Sequence, residues 1–235
     1  AEKDSTFMTV QFYAAAAASL AKDSRLAIAA LERAKNTPYR QYDVYQYLCY
    51  EYGEARTAQD SVMLEKTFEE GMQVFPDSAF FLNNLINTYI YSNRNEKALE
   101  MLNVAIQKNP NDANLYNVMG RVYETGLKDY ANAEKNFQIA LEKDPNLTDA
   151  LSNIGRIYYN QGVNKLSEAN MINDSKKYQE ELGMAKDLFK KALPYYKKAH
   201  EAEPEKMDNM IALRGIYYNL NMGPELEAIE AEMNK

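Results

Sequence analysis

The chain reads as an all-α solenoid of antiparallel helix pairs, and three observations lead there. Pro38, Pro76, Pro110, Pro145 and Pro204 each close an Ala- and aromatic-rich stretch, and two successive intervals between them are 34 and 35 residues. Between these prolines, apolar residues recur at helical rather than strand spacing. Small residues recur at matching places in each stretch, where they let two helix backbones approach. A period of this length marks one supersecondary unit copied along the chain, too small to bury its own apolar face without neighbours.

The clearest unit spans 79–112. Leu82, Leu85, Ile86 and Tyr89 fall at i, i+3, i+4 and i+7, one face of a helix. Asn93, Arg94 and Asn95 supply a polar turn, and Ala98, Leu102 and Ala105 mark a second helix. A larger side chain at Ala98 or Ala105 would overpack the contact at a cost of about 1 to 3 kcal/mol. Pro110 forbids continuation, and Asn111 with Asp112 can cap the helix that follows. The next unit, 113–147, repeats the pattern with Tyr116, Met119, Gly120 and Tyr123, then Ala133, Phe137, Ala140 and Pro145. One residue inserted in its turn, within GLKDYANA, accounts for the interval of 35. A third copy, 148–206, opens with Leu151, Ile154, Gly155 and Tyr158.

The run LYNVMGRVYE followed by DYANAEKNFQIALEKDP resembles the tetratricopeptide repeat family, with its aromatic, Gly and Tyr in the first helix and its Ala, aromatic, Ala and Pro in the second. The resemblance implies a right-handed superhelical solenoid in which first helices line a concave inner wall and second helices form the outer one. It covers most of 1–235, read as a single domain of about six pairs with divergent copies over 5–40, 41–78 and 207–235. The Asn- and Tyr-rich, Trp-free composition is similar to that of envelope-associated tetratricopeptide proteins of Gram-negative gut bacteria, which implies a periplasmic or cell-envelope location over a cytoplasmic one.

Among the outer copies, Ala27, Leu31 and Ala34 give a second-helix pattern before Pro38, preceded by Phe12, Tyr13 and the run Ala14 to Ala18. The unit ending at Pro76 keeps Leu64, Phe68 and Gly71 behind a tyrosine-rich first helix, QYDVYQYLCYEYG. Met210, Leu213 and Tyr217, then Leu226, Ile229 and Met233, form a last pair whose Glu-rich closing helix suits a polar cap. At the other end Phe7, Met8, Val10 and Phe12 expect a partner: further repeats before Ala1, or a second copy.

The interval from Pro145 to Pro204 is 59 residues, 25 beyond one period of 34, with the insertion at about 163–187. These residues are dense in helix formers, so both helices of the pair are expected to lengthen, with Asn173, Asp174 and Ser175 at the turn. Pro194 falls inside the second of them, where it costs about 3 kcal/mol or forces a kink.

Chemistry is largely excluded by composition. One Cys (Cys49) and one His (His200) leave no intramolecular disulfide and no cysteine metal site, and nearly exclude zinc sites and the common nucleophile–base pairs. Cys49, beside Tyr47, Leu48 and Tyr50, is expected to be a packed core thiol, and His200 falls near a helix end. The glycines are scattered rather than gathered into a phosphate loop. With 27 basic and 34 acidic residues the net charge is −7, which disfavours a nucleic-acid partner. No apolar run reaches membrane-spanning length. The reading is therefore not an enzyme, with no cofactor and no metal.

Binding remains. Counting from the start of each first helix, the fifth residues are Asn83, Asn117, Ser152 and Ile211, and the ninth are Asn87, Arg121, Arg156 and Gly215. With Asn84, Asn153 and Tyr159 these form a polar, part-aromatic ladder on the groove face: Asn83, Asn84, Asn87, Asn117, Arg121, Ser152, Asn153, Arg156 and Tyr159 are the candidate site. Amide side chains both donate and accept, as a peptide backbone does. Asparagine in mid-helix costs a few tenths of a kcal/mol, about what a functional reason would have to offset. Tyr91, Tyr218 and Phe80 are candidate apolar neighbours, and the two arginines point to an acidic feature in the ligand. The expected function is a noncatalytic protein-interaction scaffold that holds an extended peptide or partner helix in its groove. The alternative is self-assembly, as a homo-oligomer or an envelope-complex subunit, through the long hairpin 163–204 and the solenoid ends.

Overall fold

The computed structural model describes residues 2–35, 37, 38, 40–55 and 57–234, without the side chains of residues 2–6 and 8. Met8 of the expected apolar face therefore lies, as a side chain, outside the described residues. Among the described residues there are twelve α-helices and no strand, as the repeat pattern requires. They fall into two compact units that meet in sequence at Arg94 and Asn95.

The first unit carries α1 (Glu2–Leu20), α2 (Ser24–Ala34), α3 (Gln41–Ala55), α4 (Ala58–Val74) and α5 (Ala79–Tyr91), each packed on the next. Phe12, Ala15, Leu31, Val44, Leu48 and Tyr52 form its core. Gly71 lets α4 close on α5, since a Cβ there would stand 2.6 Å from the Phe81 ring. Thr57 and Asp60 cap α4 reciprocally, and Asp60 also takes two hydrogen bonds from Arg25 of α2, at 2.6 and 2.8 Å.

The second unit holds α6 (Asn95–Lys108), α7 (Ala113–Arg121), α8 (Tyr130–Lys143), α9 (Thr148–Ala169), α10 (Ser175–Ala202), α11 (Met207–Leu220) and α12 (Gly223–Met233). Asn95, expected in a turn, is instead the first residue of α6. Asp112 caps α7 through the Asn114 amide, and Asp174 caps α10 through that of Lys177. The Gly residues of the motif do what their position implies. A Cβ on Gly120 would lie 2.5 Å from the Phe137 ring, and one on Gly155 2.8 Å from Tyr196.

The insertion is helical on both sides: α9 reaches 22 residues and α10 28, and of the residues expected at the turn Asn173 lies in it, Asp174 caps α10 and Ser175 is instead the first residue of α10. The lengthened part is packed rather than loose. Gly162, seven residues beyond Gly155, meets Phe189, seven before Tyr196, so the same Gly-on-ring contact recurs along the antiparallel pair. α10 passes through Pro194 as one helix.

One expectation needs correction. The extra residue of the 113–147 unit does not sit in the turn. Both turns, 92–94 and 127–129, have three residues with a left-handed one in the middle, Asn93 and Lys128 at φ 57°. The addition is taken up inside the first helix, where α7 continues as a π turn, Val122–Gly126. The closing hydrogen bonds record it: Arg94 N–H reaches back five residues to Tyr89, whereas Asp129 N–H reaches back six to Tyr123. A single-residue insertion is absorbed more cheaply by widening one helical turn than by disturbing a closely packed turn and cap.

Candidate functional site

The C-terminal half of α7 and the N-terminal halves of α9 and α11 stand side by side in the second unit and enclose an open cleft of about 490 Å³. Asn117 and Arg121 come from α7; Ser152, Asn153, Arg156 and Tyr159 from α9; Asn209, Ile211 and Ala212 from α11. Tyr196 of α10 closes the floor, and Asp149, Lys206 and Asp208 stand at one rim.

The polar floor is a directional chain. Arg156 donates through both terminal nitrogens to the Glu124 carboxylate, at 2.7 and 2.8 Å, and one of them also donates to Asn153 Oδ1, at 2.8 Å. Asn153 in turn donates to Asn117 Oδ1 at 2.9 Å. Asn117 Nδ2 ends the chain with no hydrogen-bond partner among the described residues. Beside it, the Ser152 hydroxyl donates to Asn209 Oδ1 at 2.9 Å. Asn209 is 1% exposed, and its Nδ2 finds no acceptor among the described residues. Both series thus terminate in an amide N–H.

Charges at the cleft are mostly committed. Glu124 is buried, and the π turn is what carries it to Arg156. Lys206 bridges Glu203 at 2.9 Å and Asp149 at 3.2 Å, and these bonds raise its ammonium pKa above the usual lysine value despite partial burial. Burial pushes the Tyr196 phenol up to about 12, so it is neutral. Tyr159 stacks edge-on against Phe189, with ring centroids 5.6 Å apart. Among the described residues no cluster of His, Cys, Asp and Glu is arranged to hold a metal ion, and no helix is long and apolar enough to cross a membrane.

Of the residues singled out by repeat position, Asn117, Arg121, Ser152, Asn153, Arg156 and Tyr159 come together in this cleft. Asn83, Asn84 and Asn87 are half-buried on α5 of the first unit, and Asn84 spends its amide on the Phe80 carbonyl of its own helix. Tyr91 and Tyr218, 88% and 71% exposed, line no cleft described here, and Phe80 packs edge-on against Phe68 and Phe81. Asn209 and Glu124 also belong to the site, though the repeat positions that mark the ladder do not include them. A signal for Asn209 was present: it is the third residue of its first helix, where the other copies place Phe81, Leu115 and Ala150, all buried and apolar. Glu124 had no such signal, because its direction depends on the π turn.

No protein-family model matches the chain, and no curated relative is matched by its sequence. Among solved structures, a crystal structure of MamA protein superposes with a TM-score of 0.52 at 18% identity, covering 86% of this chain and 94% of that one. A MamA fragment from Desulfovibrio magneticus RS-1 gives 0.50 at 14% identity, over 85% of this chain and 97% of its own. At this identity the likeness is one of fold: this chain shares with MamA the tetratricopeptide-like architecture of successive antiparallel helix pairs.

Proposed function

We propose that the chain is a noncatalytic protein-binding scaffold whose α7/α9/α11 cleft holds an extended peptide segment of a partner protein. The observation that carries this reading is the Asn209 amide, buried at a place apolar in the other copies and lacking an acceptor. A buried donor left unmet costs about 1 to 3 kcal/mol, and a shift of the Asn209 side chain toward the cleft would let a ligand carbonyl relieve that cost. Asn117 supplies a second donor in the same cleft. An extended chain turns carbonyls to one side at intervals of about 7 Å, which suits donors on adjacent helices. Tyr159 and Ile211 offer apolar surface to the intervening side chains. With Arg156 held by Glu124 and Lys206 by two carboxylates, this reading favours backbone carbonyls over a ligand carboxylate. The fold shared with MamA supports a scaffold in the coarse sense.

The test is selection of phage-displayed random dodecapeptides on the chain. Binders should emerge, and Asn117→Ala combined with Asn209→Leu should weaken them about tenfold or more while the circular dichroism of the fold is kept. Binders indifferent to both changes would remove the cleft from the reading. An envelope setting, implied by the compositional resemblance, belongs to the same proposal, and fractionation of the native cells tests it.

A further inference from the structure

A second hollow lies beside the cleft, and only the insertion creates it. α5 and α11 run for 13 and 14 residues, whereas α9 runs for 22. A 13-residue α9 would stop at Asn160. The residues just beyond, Gln161, Val163 and Asn164, overhang the π turn and the start of α8, and with Glu124 and Tyr130 they bound a notch of about 270 Å³. Asn160 lines both the notch and the cleft. Glu124 faces the notch while its partner Arg156 faces the cleft, so their ion pair is the sill between the two.

The notch has a definite chemistry. Its one carboxylate, Glu124, is already paired, so it offers no net charge to a polyanion or to a cation. Asn160, Gln161 and Asn164 are exposed and have no hydrogen-bond partner among the described residues. An exposed helix face gains stability from Ala, Glu or Lys, and each Asn there instead costs a few tenths of a kcal/mol, about as it does in the cleft. Amides that both donate and accept match the alternating groups of a peptide backbone. The half-exposed ring of Tyr130 and the side chain of Val163 supply apolar contact beside them.

The spacing also fits. Asn153, Arg156, Asn160 and Asn164 advance along one face of α9 by three, four and four residues. Eleven residues of helix rise about 16 Å, which an extended chain spans in about five residues.

We infer that the insertion-lengthened part of α9 is a second binding segment, in which the extended peptide that occupies the cleft continues over the Arg156–Glu124 sill and is held by Asn160, Gln161 and Asn164. This rests on the peptide-binding reading of the cleft and assigns the insertion a role in it. A partner peptide accordingly needs about five residues to run from Asn153 in the cleft to Asn164 in the notch.

The test uses a selected dodecapeptide and its truncations from either end, with Kd measured against wild type, Gln161→Ala/Asn164→Ala and Asn209→Leu. Alanine favours the helix, so the double variant stays folded. The full peptide should lose about tenfold in affinity on Gln161→Ala/Asn164→Ala, and one terminal truncation should bind wild type and that variant equally. Equal binding of the full peptide to both, with affinity still lost on Asn209→Leu, would overturn the notch and leave the cleft standing. Indifference to Asn209→Leu as well, or no selected binder, would overturn both. Peptide-free self-association abolished by the double variant would place a second copy of the chain in the notch and overturn the inference.

Discussion

Arg156 on α9 and Glu124 on the π turn of α7 form a two-point ion pair, 32 residues apart in sequence, with the carboxylate buried and the guanidinium half-exposed. The pair joins two consecutive first helices and orients Asn153, and through it Asn117.

Removing the guanidinium leaves a buried carboxylate alone. Arg156→Ala should therefore cost about 1 to 3 kcal/mol in denaturant unfolding, the guanidinium's exposure keeping the loss below that of a fully buried pair. Glu124→Gln keeps the shape and two acceptor or donor atoms, and should cost less. A negligible loss on Arg156→Ala would show that the pair contributes little. Deleting Thr125 should restore an ordinary helix, preserve the circular dichroism of the fold and lose the same stability as Arg156→Ala.

Asn209→Leu tests whether the buried amide is kept against stability. The other copies are apolar at this place, so the leucine variant should be as stable as wild type or gain about 1 kcal/mol. Thermal unfolding measures it. A large loss would mean that Asn209 is a structural hydrogen-bonding residue.

Gly120→Ala places a methyl 2.5 Å from the Phe137 ring at a fully buried contact. A loss of about 1 to 3 kcal/mol is expected, and Phe137→Leu in the same chain should recover part of it. Gly53→Ala, with open space around the added Cβ, should instead be neutral or mildly stabilising.

Asp60 sets an acid limit for the first unit. Hydrogen bonds from Arg25 first, then from Thr57, hold its carboxyl at about 2, below the usual carboxylate range. A group depressed in the folded state stabilises it above the unfolded pKa, near 4 for aspartate, and loses that contribution as pH falls through the folded value of about 2. Stability should therefore be flat above about pH 5 and fall below about pH 4. Asp60→Asn should remove that component, leaving a shallower acid transition by circular dichroism.

Cys49 is buried on α3, and burial pushes its thiol up to about 12. A thiol reagent at neutral pH should leave the folded chain untouched and label one equivalent after unfolding. Rapid labelling of the folded chain would show that α3 opens locally.

The helix pairs, their caps and the Gly-on-ring contacts were legible in the sequence because each is set by residues within one repeat period. Pro110, Asp112, Gly120 and Phe137 determine start, stop and closest approach whatever lies farther along the chain. Repeat position also identified Asn117, Ser152, Asn153 and Arg156 as residues that share a face. The bonding among them was decided by the tertiary structure alone. Whether Arg156 is free to meet a ligand depends on Glu124, whether Asn117 ends as donor or acceptor depends on Asn153, and whether Asn209 is satisfied depends on Ser152, 57 residues away. The direction of a hydrogen-bond chain follows from which side chains stand within about 3 Å of each other, and helical periodicity specifies faces but not those distances. The same reason explains the π turn. The sequence counts the added residue in 113–147, but only the packing of α7 against its neighbours decides that the helix, and not the turn, takes it up.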